Sequence, residues 1–174
     1  MGSALNDPKQ DMMECIRKLE RAIDPRAGLP EELFLFIGRV TPLVNVDLLI
    51  QDTNNGTLLT WRSDRFYGPG WHVPGGVVRY KEPTTERVHA VGQLELGVAV
   101  TFDNAPMLVT ENINLAARDR AHGISLLYRC RLAGTLDPRR RYSPQSPSPN
   151  QWSWHERCPT NLIPEQRAYA ALIG

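Results

Sequence analysis

Residues 70–98 read GWHVPGGVVRYKEPTTERVHAVGQLELGV. An apolar run at Trp71–Val73 enters a tight Pro74-Gly75-Gly76 turn, and Val77 and Val78 leave it. A loop carrying Glu82 leads into a helix predicted from Thr84 or Thr85 to Leu96, with Thr85 as its cap and Gly97 as its stop. Val88, Val91 and either Leu94 or Glu95 share a face at spacings of three or four. Gly92 costs such a helix about 1 kcal/mol relative to alanine, either for close packing against a neighbour or for no structural gain. Gly75 and Gly76 have no side chains to block approach to their backbone. A carboxylate on the adjoining helix, Glu95, can then reach a metal held partly by a turn carbonyl. Oxygen ligands of that kind suit magnesium, with phosphates supplying the rest. The same residues also admit a glycine-rich turn beside an unrelated surface glutamate.

Working outward, Asp7-Pro8 has the form of a helix start, and Met12, Met13, Ile16, Leu19 and Ile23 recur at helical spacing until Asp24-Pro25. A second short helix is expected from Glu31 to Ile37, packed on both sides because Leu33, Phe34, Phe36 and Ile37 are all apolar. Val44–Ile50 reads as a strand with an unusual charge, Asp47, inside it. Asn54-Asn55-Gly56 is a strong hairpin turn, with Thr57–Trp61 returning. Further strands are predicted at 98–102, 107–112, 124–132 and 152–155, and Pro164 opens a C-terminal helix. The pattern is that of a mixed α/β domain with one principal central helix.

The chain has 174 residues, enough for one domain with its own core. Twenty basic side chains face nineteen acidic ones, a net charge of +1, which offers no case for nucleic-acid or membrane binding. Cys15, Cys130 and Cys158 are scattered and odd in number, against a disulfide framework. With no apolar run of about 20 residues and no hydrophobic leader, a cytoplasmic location is the expectation.

The 70–98 segment resembles the Nudix box: Gly76, Glu82, Glu95, Gly97 and Val98 fall in register with it, whereas Ala90, Val91, Gly92 and Leu94 replace box residues. Within that superfamily the chain resembles the GDP-mannose mannosyl hydrolases, through Thr41–Asp47, Leu58–Arg65, Gly70–Gly76 and Arg167-Ala168-Tyr169. The resemblance implies an α+β fold, a Nudix-type α/β/α sandwich with a mixed sheet, over residues 31–174. Residues 1–30 then form a helical extension through which that branch makes homodimers.

The resemblance further implies one Mg2+, with Mn2+ as a substitute, held by Glu95 and a backbone carbonyl at Gly76 or Gly75. It places Arg62 on the departing nucleoside diphosphate, and Asp47 in the nucleotide and sugar region. Arg65 and His122 are further binding candidates. Arg79 could replace an arginine that the branch carries where this chain has Val77. Trp152 and Trp154 alternate, so one packs inward and one can stack on a base; Trp152 is taken as the substrate-binding candidate. The branch's Gln-His pair is absent, which leaves His155 as the best general base by location. His72 reads as structural. The expected function is Mg-dependent hydrolysis of a nucleoside diphosphate-linked substrate, a nucleotide sugar such as GDP-mannose, by glycosyl transfer to water. The alternatives are an impaired domain that binds a ligand or protein, and a Nudix pyrophosphohydrolase.

Overall fold

The structure is a computed structural model and describes residues 7–174. Residues 1–6 of the expected extension lie outside it. Helix α1 (Pro8–Ala22) starts as expected, with the Asp7 side chain accepting from the Lys9 N–H. None of its residues is buried, and Met12, Met13, Ile16 and Leu19 form an exposed apolar stripe. Helix α2 (Glu31–Val40) buries Leu35 and Gly38 but leaves Phe36 exposed, so it packs on one side rather than both.

Strand β1 (Leu43–Asp52) is the spine of an eight-stranded mixed sheet. It lies parallel to β7 (His122–Leu132) over its first eight residues, from Leu43↔Gly123 to Ile50↔Cys130. On its other edge it changes partner. Residues 45–47 pair antiparallel with β4 (Gly75–Val77), and residues 51–52 pair with β2 (Gly56–Arg62). Between the two, the Leu48 N–H donates to the Pro74 carbonyl at 2.8 Å, which keeps the backbone satisfied across the gap. Strands β3 (Gly70–His72) and β8 (Trp152–His155) flank β2, while β5 (Val100–Phe102) and β6 (Leu108–Ile113) both pair with β7.

Alternation along β1 sorts the core. Val46, Leu48 and Ile50 meet Val88, Val91 and Leu96 from helix α3 (Thr84–Val91) and the turn after it. Leu49 meets Trp71, Val73 and Tyr169 on the opposite face, under a 3-10 helix at Pro164–Leu172. Asp47 shares the parity of Leu49 and so projects toward that C-terminal helix. Each fully buried aliphatic side chain contributes roughly 1.5–3 kcal/mol.

The principal helix departs from the expectation in two ways. Pro83 occupies its cap position with no side-chain cap, and the Thr84 hydroxyl instead bonds the Tyr128 hydroxyl at 3.0 Å. The α-helix also ends at Val91, and Gly92–Leu96 form a π-helical turn closed by Gly97 in the left-handed conformation. Gly92 is there for close packing: a Cβ would stand 3.0 Å from the Val98 carbonyl and 3.1 Å from a Val100 methyl. No helix among the described residues is long and apolar enough to cross a membrane.

Candidate active site

Where β1 changes partner, a buried carboxylate, Asp47, and a largely covered one, Glu95, whose side chain is 16% exposed, converge on Gly75. Asp47 stands opposite Gly75 in the β1–β4 register, with Oδ1 so close that a Cβ on Gly75 would lie 2.0 Å from it. Glu95, on the π-helical turn, accepts from the Gly75 N–H at 3.3 Å through Oε1. Only glycine leaves room for Asp47 there. The wider π turn sets where Glu95 emerges, and the Arg140 guanidinium anchors it by donating to the Glu95 carbonyl.

Each carboxylate has its own support. The Tyr169 hydroxyl donates to Asp47 Oδ2 at 2.7 Å, and the Thr60 hydroxyl donates to Glu95 Oε2 at 3.0 Å. Thr60 has a single hydroxyl proton. With that proton directed to Glu95, its oxygen accepts from His72 Nε2, 3.0 Å away and directly across the β2–β3 pair. Gln166 grips the backbone just before the turn, accepting from the Val73 N–H at 2.5 Å and donating to the Val73 carbonyl at 3.0 Å.

Burial dominates the electrostatics. It raises the Asp47 pKa to about 6, against the lowering effects of the Tyr169 and Ser125 hydrogen bonds and of Arg62. It raises Glu95 to about 7, opposed by Thr60, Gly75 and Arg62, with Asp47 pushing the same way as burial. It depresses His72 to about 3, so that imidazole is neutral. Arg62 is the cation common to all three groups. Its Nε–H donates to Asp64 at 2.6 Å, and its guanidinium lies 4.5 Å from the centre of the Tyr67 ring.

Two adjoining cavities open here. One, of about 100 Å3, is lined by Asp47, Arg62, Gly76, Arg120 and His122, among others. The second, of about 240 Å3, is lined by Arg62, His72, Gly75, Glu95 and Arg120. Asp47, Arg62, Gly76, Glu95 and His122 are therefore brought together; His122 also bonds Glu111 at 3.0 Å. The other candidates stand apart. Arg65 pairs with Glu31 at the surface. Arg79 donates to the Arg26 carbonyl at 3.2 Å and packs on Gly28. Trp152 is buried in the core, its indole N–H donating to the Asp137 carbonyl at 3.0 Å. His155 sits edge-on to Trp71, with ring centres 4.4 Å apart, and lines neither cavity.

Sequence reasoning missed Thr60, Tyr169, Gln166 and Arg120, and read His72 as structural. Thr60 lies two residues before Arg62 on β2, a spacing that puts both on one face, so the strand period could have found it. Gln166 and Tyr169 are three apart, one turn of a 3-10 helix, a signal visible only once that helix type is known. Arg120 has no local signal.

Among the described residues no three His, Cys, Asp or Glu side chains form a ready-made metal cage. Glu95 is nevertheless an oxygen donor of the kind Mg2+ takes, since that ion keeps waters and binds through one or two carboxylates plus substrate phosphates. The oxygens of Asp47 and Glu95 engaged by donors each retain a further lone pair.

No family model matches the chain. A low-salt glycan biosynthesis protein, Agl8 of Haloferax volcanii, is 36% identical over 84 residues, which are 48% of this chain and 53% of that protein. The chain thus spans about half the length of the curated relative it matches. A MutT Nudix hydrolase from Burkholderia pseudomallei superposes with a TM-score of 0.55 at 21% identity, covering 75% of this chain and 97% of the other. A Nudix-family hydrolase from Clostridium perfringens does so with a TM-score of 0.52 at 14% identity, covering 70% and 89%. The single mixed sheet with α3 on one face and the C-terminal helix on the other, read with these likenesses, is the Nudix fold.

Proposed function

We propose that the protein hydrolyses a nucleoside diphosphate-linked substrate, a nucleotide sugar such as GDP-mannose, with a bound Mg2+ or Mn2+, and that the transfer is to water at the anomeric carbon. The observation that carries this reading is the convergence of Asp47 and Glu95 on Gly75, in cavities that two arginines line. Carboxylates and guanidinium groups around one cleft suit a phosphorylated ligand and the charge that develops when it departs. The name of the Haloferax relative, a glycan biosynthesis protein, supports the sugar half of the substrate.

In this reading Glu95 would hold the metal, with a Gly76 carbonyl beside it, and Asp47 stays free of it; the metal, when bound, would offset charge on the leaving phosphate oxygen. Arg62 contacts the diphosphate and His122 the sugar side of the cavity. The water oxygen bonds to the anomeric carbon, and the bond from that carbon to the diphosphate oxygen breaks. The nucleoside diphosphate leaves with the electron pair, and the proton passes to a carboxylate whose burial has raised its proton affinity. Asp47, facing the smaller cavity, is placed for this; His155 is not. The domain spans residues 31–174, with residues 1–30 as an extension whose exposed apolar stripe supports a homodimer.

One observation favours a second reading, a domain that binds without turnover: apolar Val91 and Leu94 stand where the box resemblance calls for acidic residues that concentrate metal ions. A screen of nucleotide sugars with magnesium separates the readings. Free sugar plus nucleoside diphosphate is the expected product, reduced at least ~100-fold in Glu95→Gln, as for loss of a principal electrostatic contact. Sugar phosphate plus nucleoside monophosphate would mean pyrophosphate cleavage, and binding without any turnover would mean a binding module.

A further inference from the structure

Beyond the Asp47–Glu95 pair, two charged side chains carry buried polar atoms with neither a hydrogen bond nor a contact ion pair. Arg120 Nε and Glu165 Oε2 are both buried and make no hydrogen bond, and neither residue forms a contact ion pair among the described residues, although the two charges lie close enough to act on one another. They come from different elements. Arg120 lies just before β7 with a positive φ of 53°, and its carbonyl accepts from the Tyr67 hydroxyl at 3.2 Å. Its guanidinium is boxed by three rings, 4.9 Å from the centre of Tyr67, 5.6 Å from Phe34 and 5.7 Å from Phe66. Glu165 sits in the first turn of the C-terminal 3-10 helix, next to the Gln166 that grips Val73.

Both residues line the cavity of about 100 Å3 that holds Asp47 and Arg62. Both also line a neighbouring cavity of about 480 Å3, with Leu35, Phe66, Tyr67 and Asn114 among its walls. That volume is in the range of about 300–1,000 Å3 typical of ligand pockets. A buried donor or acceptor left unpaired costs roughly 1–3 kcal/mol, and more when charged. The aromatic box holds the guanidinium in place despite that cost, and the same cavities present a cation lacking an acceptor and an anion lacking a donor. A ligand that relieves both must offer a negatively charged acceptor and, close by, a hydroxyl or N–H donor.

We propose that Arg120 and Glu165 form a recognition seat joined to the Asp47–Glu95 site: Arg120 holds a phosphate oxygen of the substrate, and Glu165 accepts a hydrogen bond from a hydroxyl of the group that phosphate carries. The seat selects a phosphate-linked polyol over a bare phosphate. It rests on the functional reading above and deepens it. The planar guanidinium fork matches phosphate geometry. The Glu165 carboxylate repels a second phosphate in its place, so the ligand is oriented by what it must avoid as well as by what it meets.

Calorimetric titration of the full chain tests this, with nucleoside diphosphates and the corresponding nucleoside diphosphate hexoses as probes and calcium replacing magnesium to hold back turnover. Arg120→Met is expected to weaken both probes at least roughly 10-fold, the scale of a charge-assisted hydrogen bond. Glu165→Met is expected to weaken the hexose-bearing probe roughly 5-fold or more while leaving the bare diphosphate as tight or tighter. If Arg120→Met fails to fold, Arg120→Lys keeps the charge and loses the fork, and a several-fold loss for both probes is expected. Wild-type binding that survives both substitutions, or a Glu165→Met that weakens both probes equally, overturns the seat alone. A wild-type protein that binds neither probe overturns the functional reading, and the seat with it.

Discussion

At Glu95 and Asp47 the fold holds carboxylates where burial disfavours their charge, and this sets how stability responds to pH. Both groups have folded pKa values raised above their ordinary ones, to about 7 from 4.5 for Glu95 and to about 6 from 3.8 for Asp47. The native state therefore binds more protons than the unfolded chain between those values. Their contribution is fully present below the lower value and is lost as pH rises through the higher. His72 acts in the opposite direction: depressed to about 3 from 6.5, it favours the native state as pH rises from about 3 to 6.5. Glu95→Gln removes one charge and keeps an acceptor for Thr60, while its NH2 loses the weak 3.3 Å hydrogen bond from the Gly75 N–H. It should be more stable than the wild type at pH 8 by about 2–3 kcal/mol, with the difference vanishing near pH 4.5, as read by urea unfolding at the two pH values. At the neighbouring residue, Gly75→Ala puts a Cβ 2.0 Å from Asp47 Oδ1. The carboxylate must then move, and turnover should fall at least ~100-fold while the melting temperature drops only a few degrees. The place of Glu95 beside the double-glycine turn was legible from sequence because a helix and a stop glycine bracket it. The partners that tune it, Thr60 and His72, lie across a strand pair whose register only the fold supplies.

The Asn54-Asn55-Gly56 hairpin shows what local chemistry can specify alone. The Asp52 side chain accepts from the N–H groups of Asn54 and Asn55 at 2.9 and 3.0 Å, and Gly56 has φ +83°. A Cβ on Gly56 would lie 2.1 Å from the His155 carbonyl. Gly56→Ala should therefore destabilise the protein by about 2 kcal/mol or more in equilibrium unfolding, from strain and clash together. The same legibility covers β1, β7 and β8, whose apolar and aromatic runs between turn residues mark them as strands. It fails at the end of α3, because apolar spacing hardly separates an α turn from a π turn. The close approach of Val98 and Val100 to Gly92 accompanies the wider turn, and those are tertiary contacts. It fails also at the C-terminal helix, where Pro164 announces a start but nothing local selects 3-10 over α.

At the scale of the whole molecule, α1 is amphipathic yet buries nothing. A second copy covering Met12, Ile16 and Leu19 accounts for that stripe within the proposed homodimer. Light scattering should then give twice the mass of one chain, and Ile16→Glu should give a monomer whose domain melts within a few degrees of the wild type, since α1 adds nothing to the core. A wild-type monomer would remove the dimer from the account. The two-faced core around β1 and the site at its change of partner bear on function most directly, because they join Asp47 from one face to Glu95 from the other. The measurement that tests this most directly is hydrolysis of nucleotide sugars with magnesium in water labelled with oxygen-18, followed by mass spectrometry of the products. Attack at the anomeric carbon places the label in the released free sugar and leaves the nucleoside diphosphate unlabelled. Label in a phosphate, or no turnover of any nucleotide sugar by the wild-type protein, would contradict the account.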